Sequence, residues 1–180
     1  MKLYIVRHGD ALPRERDPDC PLSARGRADA ERLAGFLRAG GIRAARVVHS
    51  GKTRARQTAD ALARAVTPGK ESEARTGLDP NDPTDALVSA AGRGGDDMVV
   101  VGHLPFVGRL VARLVVGRED AAVVVFRPGA MVCLERGLPS PQRSSRLGGA
   151  SGEARAGFAQ AGESGGWTIA WMLGPELWAG

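Results

Sequence analysis

The chain has 180 residues, enough for a single domain that buries a substantial core. Apolar residues make up 43% and charged residues 25%, a globular balance, and aromatics at 4% leave no stacking surface for single-stranded nucleic acid. The net charge of +5 favours anionic partners, but arginine stands in for lysine almost everywhere, a habit of composition that names no partner, and no nucleic acid is expected.

The opening MKLYIVRHGD holds too short an apolar run for a signal peptide, and no run of about 18 apolar residues follows. No membrane association is expected, and the cytoplasm is the expected location. Cys20 and Cys133 form no metal-ligand or redox spacing, so two reduced thiols are expected, with Cys133 in the core.

Leu3 to Val6 form the first strand, which ends at Arg7-His8-Gly9. A polar, proline-containing loop runs to Pro21. Ser23 then caps a helix to about Arg38, with Ala30, Leu33, Ala34 and Leu37 in one stripe and Gly40-Gly41 as the stop. Arg46 to His49 is a second strand. A helix from about Lys52 to Val66 follows, burying Ala55, Ala59, Leu62, Ala63 and Val66.

Residues 67–82 have the composition of a loop. Asp82-Pro83 predicts an N-cap and first helical position for a short helix to about Ala91. DMVVVGH, apolar on both faces, predicts a strand in the middle of a parallel sheet. Pro105 opens another helix with Val107, Leu110, Val111 and Leu114 inward. AAVVVF and MVCLE flank Arg127-Pro128-Gly129 as a hairpin candidate, and WTIAWML is the last strand.

Residues 137–166 hold eight glycines and five serines among thirty positions, too little apolar surface to order the segment. They are expected to form a long mobile insertion within a single domain spanning residues 1–180. Alternating strands and helices predict an α/β three-layer sandwich, with a mostly parallel sheet and helices on both faces. Ligands of such sheets sit at the carboxyl ends of the strands.

Three strand ends carry the same kind of residues. RHG follows the first, HSGKTRARQTAD places Arg54 early in a helix after the second, and VVVGHLPFVG puts His103 after the central one. Arg7, His8, Arg54 and His103 at helix N-termini would bind a tetrahedral phosphoryl group, because backbone N–H groups and the arginine fork both suit its oxygens. Gly9, without a Cβ, would let the backbone approach a phosphoryl oxygen.

RHG near the N-terminus, S-x-x-x-R-A-R-Q-T in the middle and GHLP later resemble the histidine phosphatase superfamily, the phosphoglycerate mutase-like fold. The RHGDA opening, GHLPFVG and the closing WTIAWMLGP resemble its SixA-type branch, the phosphohistidine phosphatases, over about residues 1–136 and 167–178. The resemblance implies that His8 is the nucleophile and accepts the phosphoryl group as a phosphohistidine. It implies that Arg7, Arg54 and His103 bind that group, with no cofactor and no metal. The positive neighbours are also expected to keep His8 neutral.

Some positions depart from the family pattern. Gly51 stands where the family commonly has proline, which is expected to loosen the turn. His49 is expected near the pocket rim. Larger members use a carboxylate to protonate the leaving oxygen, and the acids available here are Glu73, Asp79, Asp82 and Asp85, with Asp10 beside the nucleophile. None stands in a recognisable acid motif; without a dedicated acid an alkoxide is hard to expel, whereas a phosphorylated imidazole leaves readily.

The substrate expected is therefore a phosphohistidine on a partner protein, handled by a monomer. A small phosphoester, with Asp79 or Asp10 as acid, is the alternative, and a phosphate-binding module without turnover is a third. A zinc site from His8, His49 and His103 is disfavoured by the two adjacent arginines.

Overall fold

The computed structural model describes residues 1–93, 95–137 and 166–178. In chain order the elements are β1 (Lys2–Arg7), α1 (Ala24–Ala39), β2 (Arg46–His49), α2 (Thr53–Val66), β3 (Glu73–Ala74), α3 (Asp85–Gly92), β4 (Met98–Gly102), α4 (Phe106–Val116), β5 (Met131–Arg136) and β6 (Trp167–Leu173). A short 3-10 turn, Pro175–Trp178, follows.

The strands form one sheet in the order β3-β2-β4-β1-β5-β6. β1 pairs in parallel with β4, β4 with β2, and β2 with β3, while β5 runs antiparallel to both β1 and β6. Among the described strands only β5 is therefore reversed, and the sheet is mostly parallel, as the apolar VVV of β4 implies. All five β4 residues are buried.

The period-2 alternation of β1 sorts the core into two layers. Tyr4 and Val6 face the side of α1 and α2, where they meet Leu33, Leu37, Leu62 and Val66. Leu3 and Ile5 face the opposite side, where α3 and α4 contribute Leu87, Phe106, Leu110 and Leu114. Leu62 and Phe106 are fully buried, each contributing about 1.5–3 kcal/mol through removal from water. This is the α/β three-layer sandwich with helices on both faces that the sequence predicts. Among the described residues no helix is long and apolar enough to cross a membrane.

Ser23 caps α1 as predicted, accepting from the Gly26 N–H at 3.0 Å. Asp82 does not cap α3. Its Oδ2 accepts from the Asp79 N–H at 2.8 Å, closing a tight turn, and the helix begins three residues later at Asp85. Thr84 holds the cap position, but its hydroxyl donates to Glu119 rather than to the helix.

The predicted hairpin between AAVVVF and MVCLE does not form. Both edges of β5 are already occupied, by β1 and β6, so residues 121–126 have no edge to pair with. Phe126 instead buries its ring in the α4-side core, while Val125 is 82% exposed. The loop at 67–82 also contains a two-residue strand, β3, which pairs Glu73 with Val48 and Ala74 with His49. Cys133 is buried in the core and Cys20 half-buried, both as free thiols.

Of the insertion expected at 137–166, residues 138–165 lie outside the described residues. Its two ends meet, with the Gly137 N–H donating to the Gly166 carbonyl at 2.7 Å. It thus leaves and rejoins the sheet at one point, between β5 and β6.

Candidate active site

The register of β1 on β4 sets Arg7 opposite Gly102, so His8 and His103 emerge side by side at the carboxyl end of the sheet. The end of β1 is clamped from several directions. The Arg7 N–H donates to the Ala130 carbonyl at 3.0 Å, the His8 N–H to Gly102 at 3.0 Å, and the Gly129 N–H to the His8 carbonyl at 3.0 Å. Gly129 takes φ +81, a value that favours glycine. One Arg7 guanidinium nitrogen donates to the Phe126 carbonyl at 2.9 Å, and its Nε is buried with no partner among the described residues.

The His8 ring has a defined tautomer. Its Nδ1 lies 2.7 Å from the Gly9 carbonyl, which can only accept, so Nδ1 carries the proton and Nε2 the lone pair. Arg54 Nε donates to that Nε2 at 3.3 Å. Burial pushes the imidazole down to about 4, with smaller contributions from Arg54 and Arg7. Desolvation thus leads, and the positive neighbours expected to keep His8 neutral only add to it.

The RARQT motif has three jobs on one helix. Arg54 reaches His8. Thr58, one turn later, accepts the Gly9 N–H on its Oγ1 at 3.1 Å and donates to the Arg54 carbonyl at 2.8 Å. Gln57 Oε1 accepts the Leu22 N–H at 2.7 Å, tying the loop after His8 to α2.

Gly9 does not serve as expected. Its N–H is taken by Thr58, and a Cβ there would stand 3.1 Å from both the Gly26 carbonyl and Leu22 Cδ2. The missing side chain admits α1 and its preceding loop, not a phosphoryl oxygen.

His103 follows β4 and is 2% exposed. Its ring centroid lies 4.9 Å from that of His8, and its Nε2 lies 2.6 Å from Ser50 Oγ. Burial, then His8 and Arg54, push its pKa down to about 3. At neutral pH both rings are uncharged, in a site whose positive charge comes from Arg7 and Arg54.

Arg7, His8, Arg54 and His103 therefore converge. Arg7, His8, Gly9, Asp10, Leu12, Cys20, Arg54 and Pro128 line a cavity of about 280 Å³, and His103 lies behind His8 without lining it. A separate cavity of about 450 Å³, around His49, Arg56 and Asp60, shares none of these residues. The smaller one is the candidate site, because Arg7 and Arg54 both line it and Arg54 meets the His8 lone pair there.

The remaining candidates lie elsewhere or are engaged. His49 is 3% exposed and belongs to the larger cavity, not the rim of the site; strand alternation turns it away from Ser50. Its Nδ1 accepts the Gly51 N–H at 3.0 Å. Gly51 has φ +83, so a proline could neither adopt this backbone nor supply that N–H, and the turn is a differently built one rather than a loosened one. Asp10 borders the cavity, but its Oδ2 accepts from Ser23 Oγ at 2.5 Å. Asp79 Oδ1 lies 3.1 Å from Lys52 Nζ, a charge pairing without hydrogen-bond alignment.

With His49 turned away, the three histidines do not converge. Among the described residues no group of three His, Cys, Asp or Glu side chains could hold a metal ion. Sequence reasoning missed Ser50, Gln57, Thr58, Cys20 and Gly26 as parts of the site and its support. Thr58 could have been found from its i+4 spacing to Arg54.

The chain is 32% identical over 123 residues to the phosphohistidine phosphatase SixA of Escherichia coli (strain K12), covering 65% of this chain and 76% of that protein. The chain belongs to the histidine phosphatase superfamily, in its SixA-type branch. The profile of the histidine phosphatase superfamily (branch 1) matches residues 3–79, which carry the RHG and RARQT motifs. The fold matches a structure of the protein histidine phosphatase SixA complexed with tungstate, at TM-score 0.73, 23% identity and 99% coverage of both chains. A phosphoserine phosphatase from Entamoeba histolytica, in complex with phosphoserine, matches at TM-score 0.59 and 14% identity over 75% of this chain and 90% of that one.

Proposed function

We propose that this histidine phosphatase removes the phosphoryl group from a phosphohistidine on a partner protein, in the cytoplasm and without a cofactor, through a phosphohistidine formed on His8. The observation that carries the reading is the lone pair on His8 Nε2, fixed by donation of Nδ1–H to the Gly9 carbonyl at 2.7 Å. A neutral imidazole in that tautomer can attack phosphorus.

Nε2 forms a bond to phosphorus as the bond from phosphorus to the substrate nitrogen breaks, and the electron pair leaves with the substrate imidazole. The phosphorylated His8 ring, still bearing Nδ1–H, becomes cationic, and the Gly9 carbonyl dipole supports that charge. Arg54 and Arg7 offset the negative oxygens, supplying the electrostatic stabilisation that dominates phosphoryl transfer. A water oxygen then bonds to phosphorus as the phosphorus–Nε2 bond breaks; the electron pair returns to Nε2, restoring the neutral ring, and the water's protons leave with the phosphate or pass to solvent.

The placement of the acids supports this substrate class. Asp10 accepts from Ser23 and Asp79 is paired with Lys52, so neither is poised as a proton donor to a departing oxygen. A phosphoimidazole whose second ring nitrogen carries a proton releases a neutral imidazole without one. The test is kcat/KM across a leaving-group series: phosphohistidine protein and activated aryl phosphates turn over, while phosphoserine and sugar phosphates turn over poorly. A flat series would overturn the phosphohistidine assignment and point to a small phosphoester with Asp79 or Asp10 as acid.

A further inference from the structure

His103 is a buried ring with one partner. Ser50 Oγ lies 2.6 Å from Nε2, and Nδ1 is buried with no hydrogen-bond partner among the described residues. The Ser50 side chain makes no other hydrogen bond among those residues. Its position is held by its neighbours: β2 ends at His49, whose Nδ1 accepts the Gly51 N–H, and Gly51 turns the chain at φ +83.

A neutral imidazole carries one ring proton, and a serine hydroxyl carries one proton and two lone pairs. If Nε2–H donated to Ser50, both the hydroxyl proton and the Nδ1 lone pair would lack partners. If the hydroxyl donates to Nε2, its proton is satisfied and His103 keeps an N–H at Nδ1. A phosphoryl group offers oxygens that only accept, so a ring that serves it must present an N–H. Satisfying the Ser50 hydroxyl and presenting an N–H to a phosphoryl oxygen require the same tautomer.

We propose that Ser50 is a positioning residue of the phosphoryl site: its hydroxyl donates to His103 Nε2, fixing the ring proton on Nδ1 and holding the imidazole beside His8. The proposal rests on the reading of His103 as a phosphoryl-binding group. It explains why the stretch from the end of β2 into the first turn of α2 supplies a serine as well as Arg54: one side chain reaches each histidine.

The test is ring-nitrogen NMR of histidine-labelled full-length protein at about pH 7, without substrate. Wild type is expected to show His103 with Nδ1 protonated and Nε2 bare, and Ser50→Ala to shift the Nε2 resonance as the tautomers mix. In parallel, kcat for an aryl phosphate falls about tenfold in Ser50→Ala with KM little changed, the effect of losing one hydrogen bond in the transition state. A wild-type His103 protonated at Nε2, or His103 resonances unchanged in Ser50→Ala, would overturn the proposal. The tautomer is read without turnover, so its failure is separable from failure of the phosphatase reading, which would appear as an inactive wild type.

Discussion

Arg54 Nε donates to His8 Nε2 across 3.3 Å, joining a side chain from the first turn of α2 to one from the end of β1. In the proposed function this sets the guanidinium beside the nitrogen that attacks phosphorus. A lysine at this position keeps the charge and loses the planar fork that grips two phosphoryl oxygens. Arg54→Lys is expected to lower kcat/KM for an aryl phosphate about a hundredfold, with an unchanged thermal melt. Activity within a few-fold of wild type would remove Arg54 from the phosphoryl site.

The ring environments set a pH dependence. Burial lowers His8 to about 4 and His103 to about 3, and it also lowers His49. An NMR titration should therefore leave His8 and His103 neutral through 6.5, the ordinary value, protonating near 4 and 3, with the His49 midpoint below the ordinary value. Because these pKa values are depressed on folding, the unfolded chain binds more protons below 6.5. Stability is full above 6.5 and falls as pH drops from there through about 4, so the urea midpoint should decline over that window. A His8 midpoint at 6.5 would contradict the buried, neutral nucleophile.

Gly26 tests the support behind the site. In the first turns of a helix, alanine is normally preferred to glycine by about 1 kcal/mol. Here a Cβ would come within 2.0 Å of the Asp10 carbonyl oxygen, so α1 could not lie against the loop that follows His8. Gly26→Ala is expected to reverse the usual sign and destabilise by about 1–3 kcal/mol in urea denaturation, with a loss of activity. An unchanged or raised midpoint would show that α1 and the loop separate without penalty.

The fold was legible where local pattern and tertiary role agree. The i, i+3, i+4, i+7 stripe of Ala30, Leu33, Ala34 and Leu37 is the buried face of α1, and the doubly apolar β4 is central in the sheet. AAVVVF misled because its β-branched run is strand-like in itself, while pairing depends on a free edge that only the assembled sheet reveals. Asp82 misled for a related reason, since its carboxylate had a second backbone N–H within reach. In the site, the four charged or aromatic groups stood out by residue type at successive strand ends. Ser50 and Gly26 did not, because each acts through one hydrogen bond or one close approach that no local pattern encodes, whereas Thr58 was marked only by its spacing to Arg54.

The most direct test of the central claim is to trap the enzyme during turnover of a substrate carrying radiolabelled phosphate, quench it in alkali, and map the label. Phosphorylated imidazole survives alkali and is lost in acid, so the account predicts an acid-labile, alkali-stable label on the peptide containing His8, absent from His8→Ala. Label on any other residue, or undiminished turnover in His8→Ala, would contradict it.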